Sequence, residues 1–236
     1  MKRRNYIVAT VKPWNIKLAA AFAKKSADPM RIISRYDELT YQKINHVDPE
    51  LIFFPHWSWK IPEAIYKKWE CIAFHMTDLP FGRGGSPLQN LISRGIYKTK
   101  ISAFRVTGDY DAGPVYLKAD LRLKGTAQEI FTRAAEIIFN EMIPHIIKKR
   151  PVPQPQRGPV KYFKRRQPSE SDISKIKGLA SIYDHIRMLD ADGYPSAFLE
   201  SGGARYEFSG AEMVGNMVKA RVKIKMMVAD GEVDKS

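Results

Sequence analysis

Four short, almost uninterrupted apolar runs precede His75, each separated from the next by residues with helical spacing or turn character. They are Tyr6-Ile7-Val8-Ala9-Thr10, Arg31-Ile32-Ile33-Ser34, Leu51-Ile52-Phe53-Phe54 and Glu70-Cys71-Ile72-Ala73-Phe74. A strand that is apolar on successive residues must be covered on both faces, which is the condition of a parallel sheet packed between helices. Leu51–Phe54 is the clearest case. Between the runs, Leu18, Ala19, Phe22 and Ala23 recur at helical spacing behind Asn15, a candidate N-cap. Glu63 to Trp69 follow Pro62 as a second short helix. The expected fold is α/β, with a mostly parallel sheet flanked by helices. No glycine-rich GxGxxG turn follows the first run, so dinucleotide binding has no support there. Ligands of such sheets sit beyond the carboxyl ends of the strands, here just after Phe54 and Phe74.

From Ile101 the pattern changes. Ile101–Thr107 and Pro114–Leu123 read as two strands joined by Gly108-Asp109-Tyr110-Asp111-Ala112-Gly113, a longer connection than a tight hairpin needs. A long amphipathic helix follows, with Ile130, Ala134, Ile137, Ile138 and Met142 on one face, closing at Lys148-Lys149-Arg150. The proline-rich stretch Pro151–Pro159 is expected to be an extended connector. This divides the chain into a catalytic domain over 1–150, a linker over 151–160 and a small C-terminal region over 161–236. That last region opens with a basic run, Lys161 to Arg166, and a polar helix start at Ser169–Asp172. A helix near Ile182–Leu189 and a hairpin from Tyr194 to Phe208 through Gly202-Gly203 complete an α+β region. The final residues, 230–236, are acidic and poor in apolar side chains, and are expected to fray.

Composition limits the partners more than the fold. The hydrophobic share of 44% and charged share of 27% exclude a disordered, collagen-like or membrane-bundle chain. The net charge of +14 across 236 residues calls for an anionic partner: nucleic acid, a phosphorylated small molecule or a membrane surface. The one cysteine, Cys71, excludes an internal disulfide and a cysteine zinc site, and its apolar neighbours make it a buried small hydrophobe. Met1-Lys2-Arg3-Arg4 has the charge of a signal-peptide start, but Lys12 and Pro13 interrupt the apolar run too soon. No stretch has the length of a membrane span, and the chain reads as cytoplasmic.

The densest chemistry lies in Phe74-His75-Met76-Thr77-Asp78-Leu79-Pro80-Phe81-Gly82-Arg83-Gly84-Gly85-Ser86-Pro87. A strand delivers His75 into a loop with one arginine and three glycines, ahead of a helix starting near Leu88. Residue types alone leave two readings open. One is an acid–base histidine with glycines that admit substrate to the backbone; the other is a structural histidine beside ordinary turns.

The run His75-x-Thr77-x-Leu79-Pro80-x-x-Arg83-Gly84-x-x-Pro87 resembles the signature of the folate-dependent formyltransferases, His-x-Ser-Leu-Leu-Pro-x-x-Arg-Gly-x-x-Pro. Asp111-Ala112-Gly113-Pro114 is similar to that family's Asp-x-Gly segment, in the same order and also between two strands. The likeness is good over residues 48–150 and looser before them. In the C-terminal part it is one of pattern, through Ile186-Arg187 and Tyr194-Pro195-x-Ala197-Phe198. The resemblance implies a Rossmann-like fold and formyl transfer from 10-formyltetrahydrofolate to an amine, without a metal. It makes His75 the general base and Asp111 the carboxylate that orients it. The family asparagine two residues before the histidine is Ala73 here, so the oxyanion donor must come from elsewhere. Asn90 is the preferred replacement, with Thr77 and a protonated His75 as others. The segment Pro55-His56-Trp57-Ser58-Trp59 takes the position where the family holds the pterin, with no catalytic role for His56. The loop Asp109–Gly113, with Tyr110, forms the other wall, Arg83 and Gly84 join the cofactor-binding set, and Arg83 and Lys60 are candidates for anionic groups.

Family acceptors are methionyl-tRNA, glycinamide ribonucleotide and nucleotide-linked amino sugars. Charge favours tRNA. A short C-terminal region in place of a larger β-barrel favours the sugar N-formyltransferases and makes tRNA the lesser candidate. The expectation is therefore a homodimeric enzyme of glycan biosynthesis acting on a nucleotide-linked amino sugar, such as a UDP-4-amino-4,6-dideoxy sugar. Lys98, Lys100, Arg105 and Lys161–Arg166 would be its phosphate contacts. The alternatives are a methionyl-tRNA formyltransferase, and a catalytically impaired relative that binds or regulates. A nucleic-acid-binding module is disfavoured, since the chain lacks zinc spacing, RNP-like aromatic strands and a basic helix.

Overall fold

The computed structural model describes residues 4–227, so the acidic stretch 230–236 and the first three residues lie outside the described residues. In chain order the elements are β1 Tyr6–Ala9, α1 Pro13–Lys25, β2 Met30–Ile33, α2 Tyr41–Val47, β3 Leu51–Phe54, α3 Glu63–Tyr66, β4 Glu70–His75, β5 Phe81–Gly84 and α4 Pro87–Ile92. They continue with β6 Lys98–Arg105, β7 Val115–Arg122, α5 Ala127–Ile137, α6 Ile143–Lys149, β8 Lys161–Phe163, α7 Leu179–Arg187, β9 Ala197–Ser201, β10 Ala204–Val214 and β11 Met217–Met226.

The chain separates into two compact units. The first holds residues up to Pro87, Lys98–Arg122 and Phe131–Lys164; the second holds Leu88–Tyr97, Leu123–Ile130 and residues from Arg165 onward. In the first, a six-stranded sheet runs β2-β1-β3-β4-β6-β7. Strands β1 to β4 pair in parallel, and β6 and β7 join antiparallel at one side. All four residues of β1 and of β3 are buried, as two-sided coverage requires. Ile7, Ala9, Ile33, Ile52, Phe54 and Cys71 pack with Leu39, Ile44, Ile61, Ile65 and Trp69 into one core.

Several local readings change. Asn15 does not cap α1: Lys12 holds the N-cap position, Pro13 follows it, and Asn15 is buried in the first turn. Proline suits that turn because it has no N–H to leave unpaired. The helix after Pro62 stops at Tyr66. The long helix is split by a π-helical turn, Ile138–Met142, just ahead of Pro144. Proline cannot donate to the carbonyl four residues back, and widening the turn relieves that conflict. Residues 169–172 contribute only the end of a 3₁₀ turn, Pro168–Ser171.

In the second unit, β9 and β10 form the expected hairpin through Gly202-Gly203, and β11 extends it to the order β11-β10-β9. Arg187 organises its interior. The guanidinium, 3% exposed as a residue, reaches Asp184 at 2.7 Å and the carbonyls of Leu123 and Gly125 at 2.8 Å each. Tyr97 donates to the same carboxylate at 2.6 Å. Among the described residues, no helix is long and apolar enough to cross a membrane.

Candidate active site

Strand β4 ends on His75, which is buried. Its Nε2 lies 2.7 Å from the carbonyl oxygen of Gly82, and a carbonyl can only accept, so that nitrogen carries the hydrogen. The lone pair of the neutral ring is then on Nδ1, 3.6 Å from Oδ2 of Asp111. The same carboxylate oxygen accepts the backbone N–H of Gly84 at 2.8 Å. Asp111 itself sits at φ 51°, a left-handed conformation that aspartate tolerates better than most residues. The structure thus brings His75, Asp111 and Gly84 together, three residues from two separated motifs.

Two glycines are required by contact. A Cβ on Gly84, at φ 104°, would run into the carbonyl oxygen of Phe163, and one on Gly113 would run into that of Arg105. Both loops are therefore pinned to neighbouring backbone. Arg83 lies on β5, a strand that the sequence reading treated as loop. Its Nε and Nη2 both bond Oε1 of Gln156, at 3.0 and 2.7 Å. Asp109 and Tyr110 are exposed at the tip of the loop between β6 and β7.

The segment after β3 makes a second cluster. Trp57 meets Trp59 at 5.3 Å between ring centroids, and Tyr36 lies 5.5 Å from Trp59. Ser58, Trp59 and Lys60 are exposed, whereas Pro55 is buried. His56 adopts φ 52°, and its Nδ1 contacts the Asn15 amide nitrogen at 3.0 Å. Burial, with the cation of Lys12 adding to it, lowers the His56 pKa to about 4, so this imidazole is neutral at pH 7. Its Nε2, the indole nitrogens of Trp14 and Trp57, and the side-chain oxygens of Thr10 and Asn15 are buried without a protein partner. These polar atoms beside aromatic faces suit a flat heterocycle with hydrogen-bonding edges. Asn15, read from sequence as a cap, is the residue missed here. Only its position after the first strand could have signalled it.

Other candidates are placed elsewhere. Asn90 belongs to the second unit, buried in α4, where Nη1 of Arg94 donates to its Oδ1 at 2.8 Å and to its backbone oxygen at 2.6 Å. The Thr77 hydroxyl donates to the Gly82 carbonyl at 3.4 Å. Burial pushes the Cys71 thiol well above its ordinary range, which fits a packing role. Among the described residues, no three His, Cys, Asp or Glu side chains group as metal ligands.

Comparison with known proteins gives the lineage. The domain family "Methionyl-tRNA formyltransferase, C-terminal domain" matches residues 168–225. A solved methionyl-tRNA formyltransferase from Clostridium thermocellum is 55% identical, with a TM-score of 0.93, over 94% of this chain and 99% of that one. The methionyl-tRNA formyltransferase of Rickettsia typhi is 32% identical over 70% of this chain and 55% of its own length. The chain thus spans about half the length of the curated relatives it matches. A sugar N-formyltransferase from Shewanella sp FDAARGOS_354 shares the fold at 12% identity and a TM-score of 0.67, over 89% of this chain and 99% of that one.

These findings overturn the expected nucleotide-sugar substrate and the ranking of tRNA below it. The C-terminal region taken as too small for a tRNA enzyme matches the C-terminal domain of such enzymes, and the Clostridium thermocellum protein shares it almost end to end. Two proposed phosphate contacts are also engaged: Lys100 pairs with Asp120 at 2.5 Å and Arg105 with Glu70 at 3.2 Å. From the His75–Asp111 pair to the C-terminal sheet, the chain belongs to the formyltransferase family, among its methionyl-tRNA formyltransferase-like members.

Proposed function

We propose that this protein transfers a formyl group from 10-formyltetrahydrofolate to the amino group of methionyl-tRNA. The observation that carries the chemistry is the buried imidazole at the end of a parallel strand, with a carboxylate 3.6 Å from Nδ1. The acceptor is the one named for the Clostridium thermocellum relative, and the net charge of +14 suits a polyphosphate partner. Such an acceptor is a cytoplasmic one.

When bound, the donor supplies an activated formyl group. Trp57 and Trp59 would hold its ring system by their aromatic faces, His56 and Trp57 would supply polar groups, and the Asp109–Gly113 loop would form the other wall. His75 acts as the base. With Nε2–H committed to Gly82, the proton removed from the acceptor amine is held on Nδ1, facing Asp111. Passing that proton on to the departing nitrogen of the donor would complete the transfer, with the formyl carbon moved to the amine and the donor released as tetrahydrofolate.

The test is direct. Purified protein with 10-formyltetrahydrofolate and methionyl-tRNA should yield formylmethionyl-tRNA on an acid–urea gel, and His75→Gln should abolish it. A UDP-amino sugar in a parallel reaction should remain unmodified. Donor binding without formylation of methionyl-tRNA would refute the reading.

A further inference from the structure

We infer that Gln156, in the proline-rich connector, is a positioning residue for the formyl-transfer centre, an inference that rests on the functional reading above. Its side-chain amide makes four hydrogen bonds. Oε1 accepts from Nε and Nη2 of Arg83 at 3.0 and 2.7 Å, and Nε2 donates to the carbonyls of Asp111 and Gly113 at 2.8 Å each. An amide has two acceptor sites and two donor hydrogens, so its whole capacity is spent on the two loops that meet at His75.

The contacts close a ring. Arg83 is followed by Gly84, whose N–H bonds the Asp111 carboxylate. The backbone carbonyl of Asp111 is bonded to Gln156, and Gln156 returns to Arg83. This ring fixes Asp111 from both ends, side chain and main chain, in a left-handed conformation that leaves its carboxylate 3.6 Å from His75.

The connector is itself anchored on either side of Gln156, so little order has to be supplied by the amide. Gln154 and Val115 exchange two backbone hydrogen bonds of 2.8 Å, which adds one bridge to the edge of the six-stranded sheet. Beyond Gln156, β8 pairs with β5, and Phe163 accepts from the N–H of Gly85 at 3.0 Å. The flanking prolines, Pro153 and Pro155, hold the backbone extended between these points.

The amide's polarity matters more than its size. Gln156→Glu keeps the volume and strengthens the attraction to Arg83, but sets a carboxylate oxygen against two carbonyl oxygens. Gln156→Leu keeps the bulk and removes both sets of bonds. Both variants should lower kcat for formylation of methionyl-tRNA by about 10-fold or more, since a displacement of the catalytic groups by 1 Å costs roughly 10²-fold. KM for donor and for acceptor should stay within about threefold and the melting temperature near that of wild type, which together separate lost positioning from a smaller folded fraction. The variant Asp111→Asn/Gln156→Leu should be about as slow as the slower single variant, because the amide acts through Asp111.

A kcat within twofold of wild type in both variants would overturn the inference. So would full activity in Gln156→Glu with loss in Gln156→Leu, which would make the residue a partner of Arg83 alone. Multiplying effects in the double variant, or failure of both single variants to fold, would overturn it as well. Absence of turnover in the wild-type protein would instead refute the functional reading, and this inference with it.

Discussion

The charge of Asp111 can be removed while leaving its backbone undisturbed, which makes Asp111→Asn the sharpest probe of the site. Asparagine accepts the left-handed conformation at φ 51° as readily as aspartate, and its oxygen can keep the bond from Gly84. What changes is the interaction with a protonated His75 ring 3.6 Å away. Coulomb's law with an effective dielectric of about 20 gives about 4 to 5 kcal/mol for unit charges at that separation. Delocalisation over the ring and the partial exposure of the carboxylate reduce this to about 3 kcal/mol, or roughly 10²-fold in rate. The assay is single-turnover formylation of methionyl-tRNA at saturating donor, with a thermal melt on the same sample. The expected result is a loss of about 10²-fold in rate with a melting temperature near that of wild type. A rate within threefold of wild type, from folded protein, would show that the proton is not held against Asp111 and would refute the assignment of Nδ1 as its resting place.

Other consequences concern stability. Arg187→Ala leaves Asp184 and the carbonyls of Leu123 and Gly125 without their shared donor, and breaking such a buried pair costs about 3 to 5 kcal/mol. At about 2 to 4 °C per kcal/mol for a chain of this size, the melting temperature should fall by about 10 °C; a fall under 2 °C would refute the organising role of the guanidinium. Acid should also weaken the fold. Burial holds His56 and His185 at about 4 against 6.5 in the unfolded chain, so between those values the unfolded state binds protons that the native state does not. Stability should be level above pH 6.5 and fall toward pH 4, with His56 contributing about 3 kcal/mol. Urea midpoints at pH 7.5, 6 and 5 measure the slope, and an unchanged slope in His56→Gln would remove that assignment.

What the sequence makes legible is whatever repeats with a period or requires a residue type. The buried strands were readable because two-sided coverage leaves no polar position, as in Leu51–Phe54. The hairpin through Gly202-Gly203 was readable from its turn. Two short strands were not. Phe81-Gly82-Arg83-Gly84 carries two glycines and looks like a turn, and Lys161-Tyr162-Phe163 looks like a basic tail. Each is a strand only because the other is beside it, and a pairing of strands so distant in sequence leaves no local pattern. The π turn before Pro144 likewise depends on a conflict several residues downstream.

The site divides along the same line. His75, Asp111, Gly84 and Gly113 stand out because they fall on the two motifs that resemble the formyltransferase signature, and the structure leaves no room for a Cβ at either glycine. Asn15 and Gln156 do not, since an amide is acceptable at a helix start or in a linker for many reasons, and only the partners it meets reveal a task. The acceptor was hardest of all. The length of the C-terminal region argued for a small sugar nucleotide, yet length measures how much chain is present and not what its surface recognises. A related methionyl-tRNA formyltransferase shares that region nearly end to end, so a compact helix and sheet are compatible with a tRNA enzyme. The charge of +14 favours a polyphosphate acceptor such as the one proposed above, because phosphate recognition scales with the number of cations presented and not with the size of the domain that carries them.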